Sequence, residues 1–209
     1  MKNAIDSELF IANRNEREKV RKEFGLENQF VVGHVGRMHP QKNHDFLIDV
    51  FSEIKKKKQN AKLVLIGTGP LKNKLRKKIQ YLGLSEYVIF LGNRKDINRL
   101  YQAMDVFIFP SLFEGLGIVS IEAQAAGIPV LCSEGLPPET NITPIYHMLM
   151  LKEGAEVWAQ SAIDIAKTPL AHSNMQEYII DSGFDMKVVA EMMEKYYLSK
   201  DAVAKECLK

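Results

Sequence analysis

The sequence predicts an α/β protein whose core is a doubly wound, parallel β-sheet. Along most of the 209 residues, short β-branched and apolar runs alternate with segments that repeat apolar residues at helical spacing. The short runs are continuously apolar, which is typical of parallel strands covered by helices on both faces. Because crossovers between parallel strands are right-handed, this order of elements indicates a Rossmann-like fold.

Six runs are predicted as strands and seven segments as helices. The strands are expected at residues 30–35, 62–67, 87–92, 105–110, 128–133 and 147–151. The helices are expected at 43–58, 70–83, 96–103, 118–127, 155–167, 174–181 and 185–198. The second helix is the most clearly bounded, since Pro70 stands at its start and Gly83 at its end.

Composition excludes several other classes of protein. Hydrophobic residues make up 46% and charged residues 26%, which is ordinary for a globular protein. No apolar stretch approaches the roughly 18 residues of a membrane span, and the first residues lack a signal-peptide layout. Cys132 and Cys207 lie too far apart to suggest a disulfide or metal framework. With a formal net charge of only +2, we expect a soluble, cytoplasmic protein whose overall charge identifies no partner.

The loops after the strands should carry the chemistry, because ligands of such sheets bind at the carboxyl ends of the strands. In the first loop Gly36 allows a tight turn, and Arg37 and Lys42 place two cations beside a helix N-terminus. Backbone N–H groups and cations together form an anion site suited to phosphate. Taken alone, a glycine turn with two exposed cations explains the same residues and is the commoner case.

The second loop, residues 67–71, contains a glycine-x-glycine pattern. Lys72 replaces the third glycine of a dinucleotide fingerprint, and no acidic residue ends the next strand. We therefore interpret this loop as an ordinary strand-to-helix turn.

Segment 109–133 carries the most informative pattern. Pro110 and Ser111 end a strand, and Gly115 and Gly117 then free the backbone where a helix begins. The unpaired N–H groups that open this helix would point at a ligand, aided by the helix dipole.

Two acids flank this turn, Glu114 in the loop and Glu122 eight positions later on the helix. Both would face one crevice, where a carboxylate can accept hydrogen bonds from sugar hydroxyls such as those of a ribose. A capped helix with one solvated and one half-buried acid is the simpler alternative for this spacing alone.

In combination and in order, these loops resemble the carboxy-terminal domain of GT-B-fold glycosyltransferases of family four. The resemblance covers most of the chain and loosely favours members that act in capsule or exopolysaccharide assembly. Its motifs are NAID at 3–6, VGR…QKNHDFLI, LVLIGTGPL, VIFLG, DVFIFPSLFEGLGIVSIEAQAAGIPVLCS and FDMKVVAEMMEKYY.

The resemblance implies a retaining hexosyltransferase that moves a sugar from a nucleotide-sugar, usually a UDP-sugar, to a saccharide or lipid-linked acceptor. Carried over by position, Arg37 and Lys42 would bind the donor diphosphate. Glu114 would contact the donor sugar in the catalytic centre, and Glu122 would accept hydrogen bonds from the ribose.

Backbone contacts and the absence of a metal are implied in the same way. Two backbone stretches would contact the donor, the first at its sugar and phosphate and the second at its base. They are Gly115, Leu116, Gly117 and Ile118, and the loop Gly92, Asn93 and Arg94. No metal and no cofactor would be needed, because cations and the helix dipole neutralise the departing diphosphate.

One loop departs from the family pattern, and the resemblance also implies a second domain. The family's usual Gly-Gly-x-Pro-Glu loop is replaced by EGLPPETNIT at 134–143, which leaves the sugar open. We expect a donor-binding domain over 1–170, and helices over 171–209 that cross to an N-terminal GT-B domain. Exposed Phe184 and Leu198 would mark that contact. Without the second domain, activity should be weak or nil.

Other functions remain open from the residues. A non-catalytic nucleotide-binding or partner-binding subunit is the main alternative, whereas the spacing of the two acids argues against an epimerase or a phosphorylase. Residues 51–80 hold ten Lys/Arg and one acid, which could contact an anionic membrane leaflet. Solvated faces of two surface helices are the simpler explanation, and no interleaved aromatics support nucleic-acid binding.

Three further sets of residues are assigned to the core or to no site. His34, His39 and His44 lack neighbouring Cys or acidic ligands, so a metal site is not expected. Cys132 should be a small core residue on a buried strand. Trp158, with Val157 and Ile163, should form the inner face of a helix.

Overall fold

A six-stranded parallel sheet forms the centre of the computed structural model, which describes residues 3–206 and side chains as far as Ser199. The strands are β1 (Phe30–Val35), β2 (Ala61–Ile66), β3 (Val88–Gly92), β4 (Val106–Phe109), β5 (Val130–Cys132) and β6 (Tyr146–Met148). Their order across the sheet is β3-β2-β1-β4-β5-β6, so the chain winds outward in both directions from the β1–β4 pair. The predicted doubly wound, Rossmann-like fold class is confirmed.

Helices cover both faces of the sheet. They are α1 (Arg14–Glu23), α2 (His44–Lys57), α3 (Lys72–Tyr81), α4 (Ile97–Gln102), α5 (Ile118–Ala125), α6 (Gly154–Ile165), α7 (Gln176–Asp181) and α8 (Met186–Glu206). Helices α1, α4, α5 and α7 contribute to one apolar layer, and α2, α3 and α6 to the other. Successive strand residues therefore enter opposite layers, as Val31 and Val32 of β1 do, and both are fully buried.

Helix α1 is not predicted by the apolar pattern. Its ten residues include a single buried one, Val20, so the helix has almost no apolar face to recognise. The signal lies at its start, where the side chain of Asn13 accepts a hydrogen bond from the backbone N–H of Glu16 at 3.0 Å. An Asn followed three residues later by Glu is a capping pattern that marks a helix N-terminus.

Ion pairs hold α1 to the sheet together with the buried side chain of Val20. The guanidinium groups of Arg17 and Arg21 both bind the carboxylate of Asp105, which lies just before β4. Oδ2 of Asp105, which Arg21 contacts at 3.3 Å, also accepts the backbone N–H of Val31 at 2.7 Å. A single acid therefore connects α1, β1 and β4 at the amino ends of the strands.

The prediction that Phe184 is exposed is wrong. Its side chain is 1% exposed and belongs to the α1–α4–α5–α7 layer. Backbone hydrogen bonds run from Ile5 N to Phe184 O and from Met186 N to Ile5 O, each 2.8 Å long. Phe184 thus packs on the body of the domain, whereas Leu198 on α8 is 63% exposed. The boundary at residue 170 stays a prediction.

Two smaller expectations also need correction. Val157 is 44% exposed, while its neighbours Trp158 and Ile163 are buried as predicted, because only one side of α6 faces the sheet. The last strand begins at Tyr146 and ends at Met148, so residues 149–151 lie beyond it.

Candidate functional site

The carboxyl ends of β1, β2, β3 and β4 lead into loops that meet at one edge of the sheet. The loop after β1 and the loop after β2 are in direct backbone contact. Met38 N donates to Thr68 O at 2.9 Å, and Leu71 N donates to Met38 O at 3.1 Å. A side chain on Gly69 would place its Cβ 2.5 Å from the Met38 carbonyl oxygen. This close approach requires glycine and fixes the two loops against each other.

The loop at 67–71 joins β2 to α3, as predicted, and it also lines a cavity. Arg37, Thr68, Pro70 and Asn93 line a cavity of about 520 Å³ together with Gly67 and Gly69. The hydroxyl of Thr68 lies 3.4 Å from Oδ1 of Asn93. The sequence did not lead us to expect Thr68 and Pro70 beside the predicted site residue Arg37. Gly67 and Gly69 were the available signal, because glycines at these positions permit the close approach of the β1 loop.

Lys42 and Glu114, predicted separately, are in contact. Lys42 Nζ donates to Glu114 Oε1 at 2.7 Å, and the two side chains are 17% and 7% exposed. Lys42 Nζ also lies 4.7 Å from the ring centroid of Phe109 at the end of β4. The exposed side chain of Arg37 faces the cavity beside the β2 loop, so the two predicted cations occupy different parts of the edge.

The turn before α5 adopts the conformation that the glycines predict. Gly117 has φ +71 and directly precedes Ile118, the first residue of α5. This left-handed conformation favours glycine. The N–H of Ser120 in the first turn of α5 donates to Gly117 O at 2.8 Å. The N–H groups of Ile118 and Val119 precede it and have no intrahelical carbonyl to bond, as at the start of any helix. They lie at the edge where the loops of β1 and β4 meet.

Glu122 lies on α5 and is held by a residue that the sequence analysis did not select. The hydroxyl of Tyr101 lies 3.0 Å from Glu122 Oε2 and 3.0 Å from the carbonyl oxygen of Val119. Burial raises the pKa of the half-buried Glu122 carboxyl, and the Tyr101 hydrogen bond partly opposes this. Burial, followed by the nearby Glu122, raises the pKa of Tyr101 well above its usual range. Tyr101 was interpreted only as part of a short helix.

In the predicted base loop, Gly92 has φ +67, and Asn93 lines the cavity described above. The side chain of Arg94 is bound to Asp96 through two hydrogen bonds of 2.8 and 2.7 Å. Its guanidinium is therefore engaged within the loop, and contact with a ligand would fall to the loop backbone.

His34 and His44 are buried directly behind the Lys42 loop, with ring centroids 4.5 Å apart. His34 Nδ1 donates to Ile108 O at 2.9 Å. Burial, and then the positive charge of Lys42, lowers the pKa of His44 to about 4, and burial also holds the pKa of His34 well below its usual range. Both imidazoles are thus neutral near pH 7. Residues 3–199 contain no cluster of three or more metal-ligating side chains.

The cations of the basic segment 51–80 mainly contact neighbouring protein groups. Lys74 pairs with Asp45 at 2.7 Å and Lys78 with Asp49 at 2.8 Å, both between α3 and α2. Lys62 donates to Glu86 O at 2.7 Å. These contacts agree with solvated helix faces, and peripheral membrane contact through this segment is not supported. Within residues 3–206, no helix is long and apolar enough to cross a bilayer.

Comparison with solved structures assigns the fold to the GT-B glycosyltransferases. Anabaena HepE, solved in complex with UDP and glucose, superposes with a TM-score of 0.80 at 25% identity. The alignment covers 94% of this chain and 56% of HepE.

The chain belongs to the glycosyl transferases group 1 family, whose model matches residues 16–183. EpsF of Bacillus subtilis (strain 168), named as a glycosyltransferase, is 32% identical over 206 residues, covering 95% of this chain and 53% of EpsF. The UDP-Gal:alpha-D-GlcNAc-diphosphoundecaprenol alpha-1,3-galactosyltransferase of Escherichia coli is 35% identical over 135 residues, covering 63% of this chain and 35% of that protein. The chain spans about half the length of EpsF and HepE.

Proposed function

We propose that this chain is the donor-binding half of a retaining glycosyltransferase that transfers a sugar from a UDP-sugar to a saccharide or lipid-linked acceptor in cell-surface polysaccharide synthesis. One observation carries the proposal: the cation Lys42 and the carboxylate Glu114 are in contact at 2.7 Å beside the start of α5. This edge offers a positive charge for phosphate and a hydrogen-bond acceptor for a sugar within one side-chain length.

The relatives supply the chemical class of donor and acceptor. HepE was solved with UDP and glucose, and the Escherichia coli relative is named for UDP-galactose and a diphosphoundecaprenol-linked acceptor. We therefore favour UDP over other nucleotides and a lipid-linked saccharide over a small soluble acceptor.

In the proposed mechanism each group of the site either stabilises charge on the donor or forms a hydrogen bond with it. Arg37, Lys42 and the N–H groups of Ile118 and Val119 at the start of α5 stabilise the negative charge that develops on the departing diphosphate. This arrangement could replace a metal ion in that role. Glu122 accepts hydrogen bonds from the ribose through the oxygen that Tyr101 does not bind. Glu114 orients the donor sugar through its hydroxyls, and the acceptor attacks from the same face, so that configuration is retained.

The backbone completes the proposed donor site. Gly115, Leu116, Gly117 and Ile118 would contact sugar and phosphate, and the loop of Gly92, Asn93 and Arg94 would contact the base. No side chain on this half is needed to activate the acceptor, and we assign that role to the second GT-B domain of the full enzyme.

Calorimetric titration of this chain with UDP, GDP and ADP tests the proposal. We expect UDP to bind most tightly, and Arg37→Ala and Glu122→Ala each to weaken it about 10-fold, as expected for the loss of one charged hydrogen bond. Arg14→Ala is the matched control, because the Arg14 side chain is 90% exposed and pairs with Glu18 on α1.

Binding of no nucleotide at millimolar concentration would contradict the proposal. Nucleotide binding without sugar transfer, even after an N-terminal GT-B domain is supplied, would favour the alternative of a non-catalytic nucleotide-binding subunit.

A further inference from the structure

The ion pair between Lys42 and Glu114 is held in place by more than its own attraction. Gln41 Nε2 donates to Phe113 O at 2.9 Å, and Leu112 N donates to Gln41 O at 2.8 Å. These bonds join the residues immediately before Lys42 to those immediately before Glu114. The two charged side chains therefore face each other because their backbones are fastened together.

The pair partly offsets the positive charge that Lys42 offers to a phosphate. With the side chains 17% and 7% exposed, water screens the pair only weakly. A diphosphate that approaches Lys42 must share the ammonium with Glu114 or displace it, and it must also tolerate the carboxylate. Glu114 thus opposes the binding of anions that cannot donate a hydrogen bond to its carboxylate.

A nucleotide-sugar and a free nucleoside diphosphate differ at the terminal phosphate, which is the group that would approach Lys42 and Glu114. The terminal phosphate of the free diphosphate is joined only to the neighbouring phosphate. Its second proton is lost at a pKa of about 6, so it carries additional negative charge at neutral pH. In the nucleotide-sugar that position is esterified, and the sugar presents hydroxyl donors instead. A carboxylate repels the first and accepts a hydrogen bond from the second.

We infer that Glu114, through its contact with Lys42, makes the site discriminate against free nucleoside diphosphate and in favour of the intact nucleotide-sugar. The inference rests on the proposed donor-binding function and adds a specificity-determining role to it. Its consequence for turnover is easier release of the nucleoside diphosphate product once the sugar has been transferred.

Glu114→Gln tests this inference, since it removes the charge and keeps the shape. We expect UDP to bind about 5-fold more tightly to this variant than to the wild type, because Lys42 is released and a repulsive charge is lost. UDP-glucose should bind no more tightly than to the wild type. Glu114→Asp keeps the charge and should keep the weak binding of UDP.

Glu139→Gln is the matched control, because Glu139 is an exposed acid in the helical turn that follows β5. Calorimetry with UDP and UDP-glucose on all four proteins gives the ratio of the two affinities, and thermal unfolding confirms that each variant is folded. A ratio that does not change between wild type and Glu114→Gln overturns the inference while leaving the proposed function intact. Failure of the wild type to bind either compound overturns both.

Discussion

The hydroxyl of Tyr101 lies 3.0 Å from Oε2 of Glu122, so a fully buried aromatic residue orients an acid that faces the proposed ribose site. Edge-to-face contacts with Phe10 and Phe107, with ring centroids 5.9 and 5.7 Å away, fix the Tyr101 ring. Glu122 is thereby held in one position before any ligand arrives, which lowers the entropic cost of using it.

Tyr101→Phe should reduce the ability of the site to recognise a ribose. We expect UDP affinity to fall about 3- to 5-fold, with little change for 2′-deoxy-UDP, because Glu122 loses its fixed orientation. Calorimetry with both nucleotides measures this difference. Tyr146→Phe is the control, since the Tyr146 hydroxyl is bonded to Thr140 Oγ1 at 3.3 Å instead. An equal loss for both nucleotides would show that Tyr101 has only a structural role.

The free energy of unfolding should fall as the pH is lowered from about 6.5 to 4. The pKa of buried His44 is lowered to about 4, so the unfolded state binds a proton that the folded state does not. The stability contribution is complete above the ordinary histidine pKa and is lost as pH falls through the folded pKa. Its size is on the order of 3 kcal/mol for a shift of this extent.

Urea unfolding between pH 4 and pH 7 measures this dependence. His44→Leu should reduce it, with the remainder due in part to buried His34, whose pKa is lowered in the same direction. His39→Gln, at an exposed position, is the control. Equal slopes for the wild type and His44→Leu would contradict the assignment of the pH dependence to this group.

Gly69→Ala should destabilise the contact between the β1 and β2 loops. The new Cβ would lie 2.5 Å from the Met38 carbonyl oxygen, and backbone atoms cannot yield without moving the loop. We expect a loss of about 1–3 kcal/mol in the free energy of unfolding. Gly115→Ala is the matched control for stability, because a Cβ there has no neighbour within 4 Å. Identical melting temperatures for the two variants would disprove the constraint.

Asp105→Ala should lower the free energy of unfolding more than the loss of an exposed acid on α1 does. It leaves Arg17 and Arg21 without their shared carboxylate and the N–H of Val31 without its acceptor. We expect a loss of about 2–4 kcal/mol, somewhat below that of a fully buried pair, because these side chains keep some contact with water.

Glu18→Ala provides the comparison, since the Arg14–Glu18 pair has side chains 90% and 67% exposed and should contribute little. Chemical denaturation of both variants distinguishes the two environments. A loss at Asp105 no larger than that at Glu18 would refute the structural role given to Asp105.

The sheet and its helices could be predicted because apolar periodicity is a local property of the chain. The strand segments were found to within a few residues, with β6 the least accurate. Helix α1 was missed because ion pairs to Asp105, about 85 residues away, replace the apolar face that periodicity detects. Phe184 was placed wrongly for the related reason that its partner, Ile5, lies at the other end of the chain.

The family and the fold were predicted from motifs, and the comparisons confirm both. The roles of the individual site residues stay predictions. The contact between Lys42 and Glu114 joins positions 72 residues apart, and the adjacency of β1 and β4 in the sheet brings their loops together. The contact of Tyr101 with Glu122 could not be predicted either, because the sequence does not distinguish a tyrosine that only fills the core from one whose hydroxyl also binds a site residue.

The hydrogen bonds from Ile5 to Phe184 and from Met186 to Ile5 have a mechanical consequence. They join Ile5 to Phe184 and Met186, so the polypeptide between these residues forms a closed loop. Tension applied at Ile5 and Met186 would act first on these two hydrogen bonds and on the 2.6 Å bond from Ser7 Oγ to Asp185. Lys42 and Glu114 lie within this closed loop of chain, so a pull on its two ends loads the closing hydrogen bonds before the loops that hold these residues.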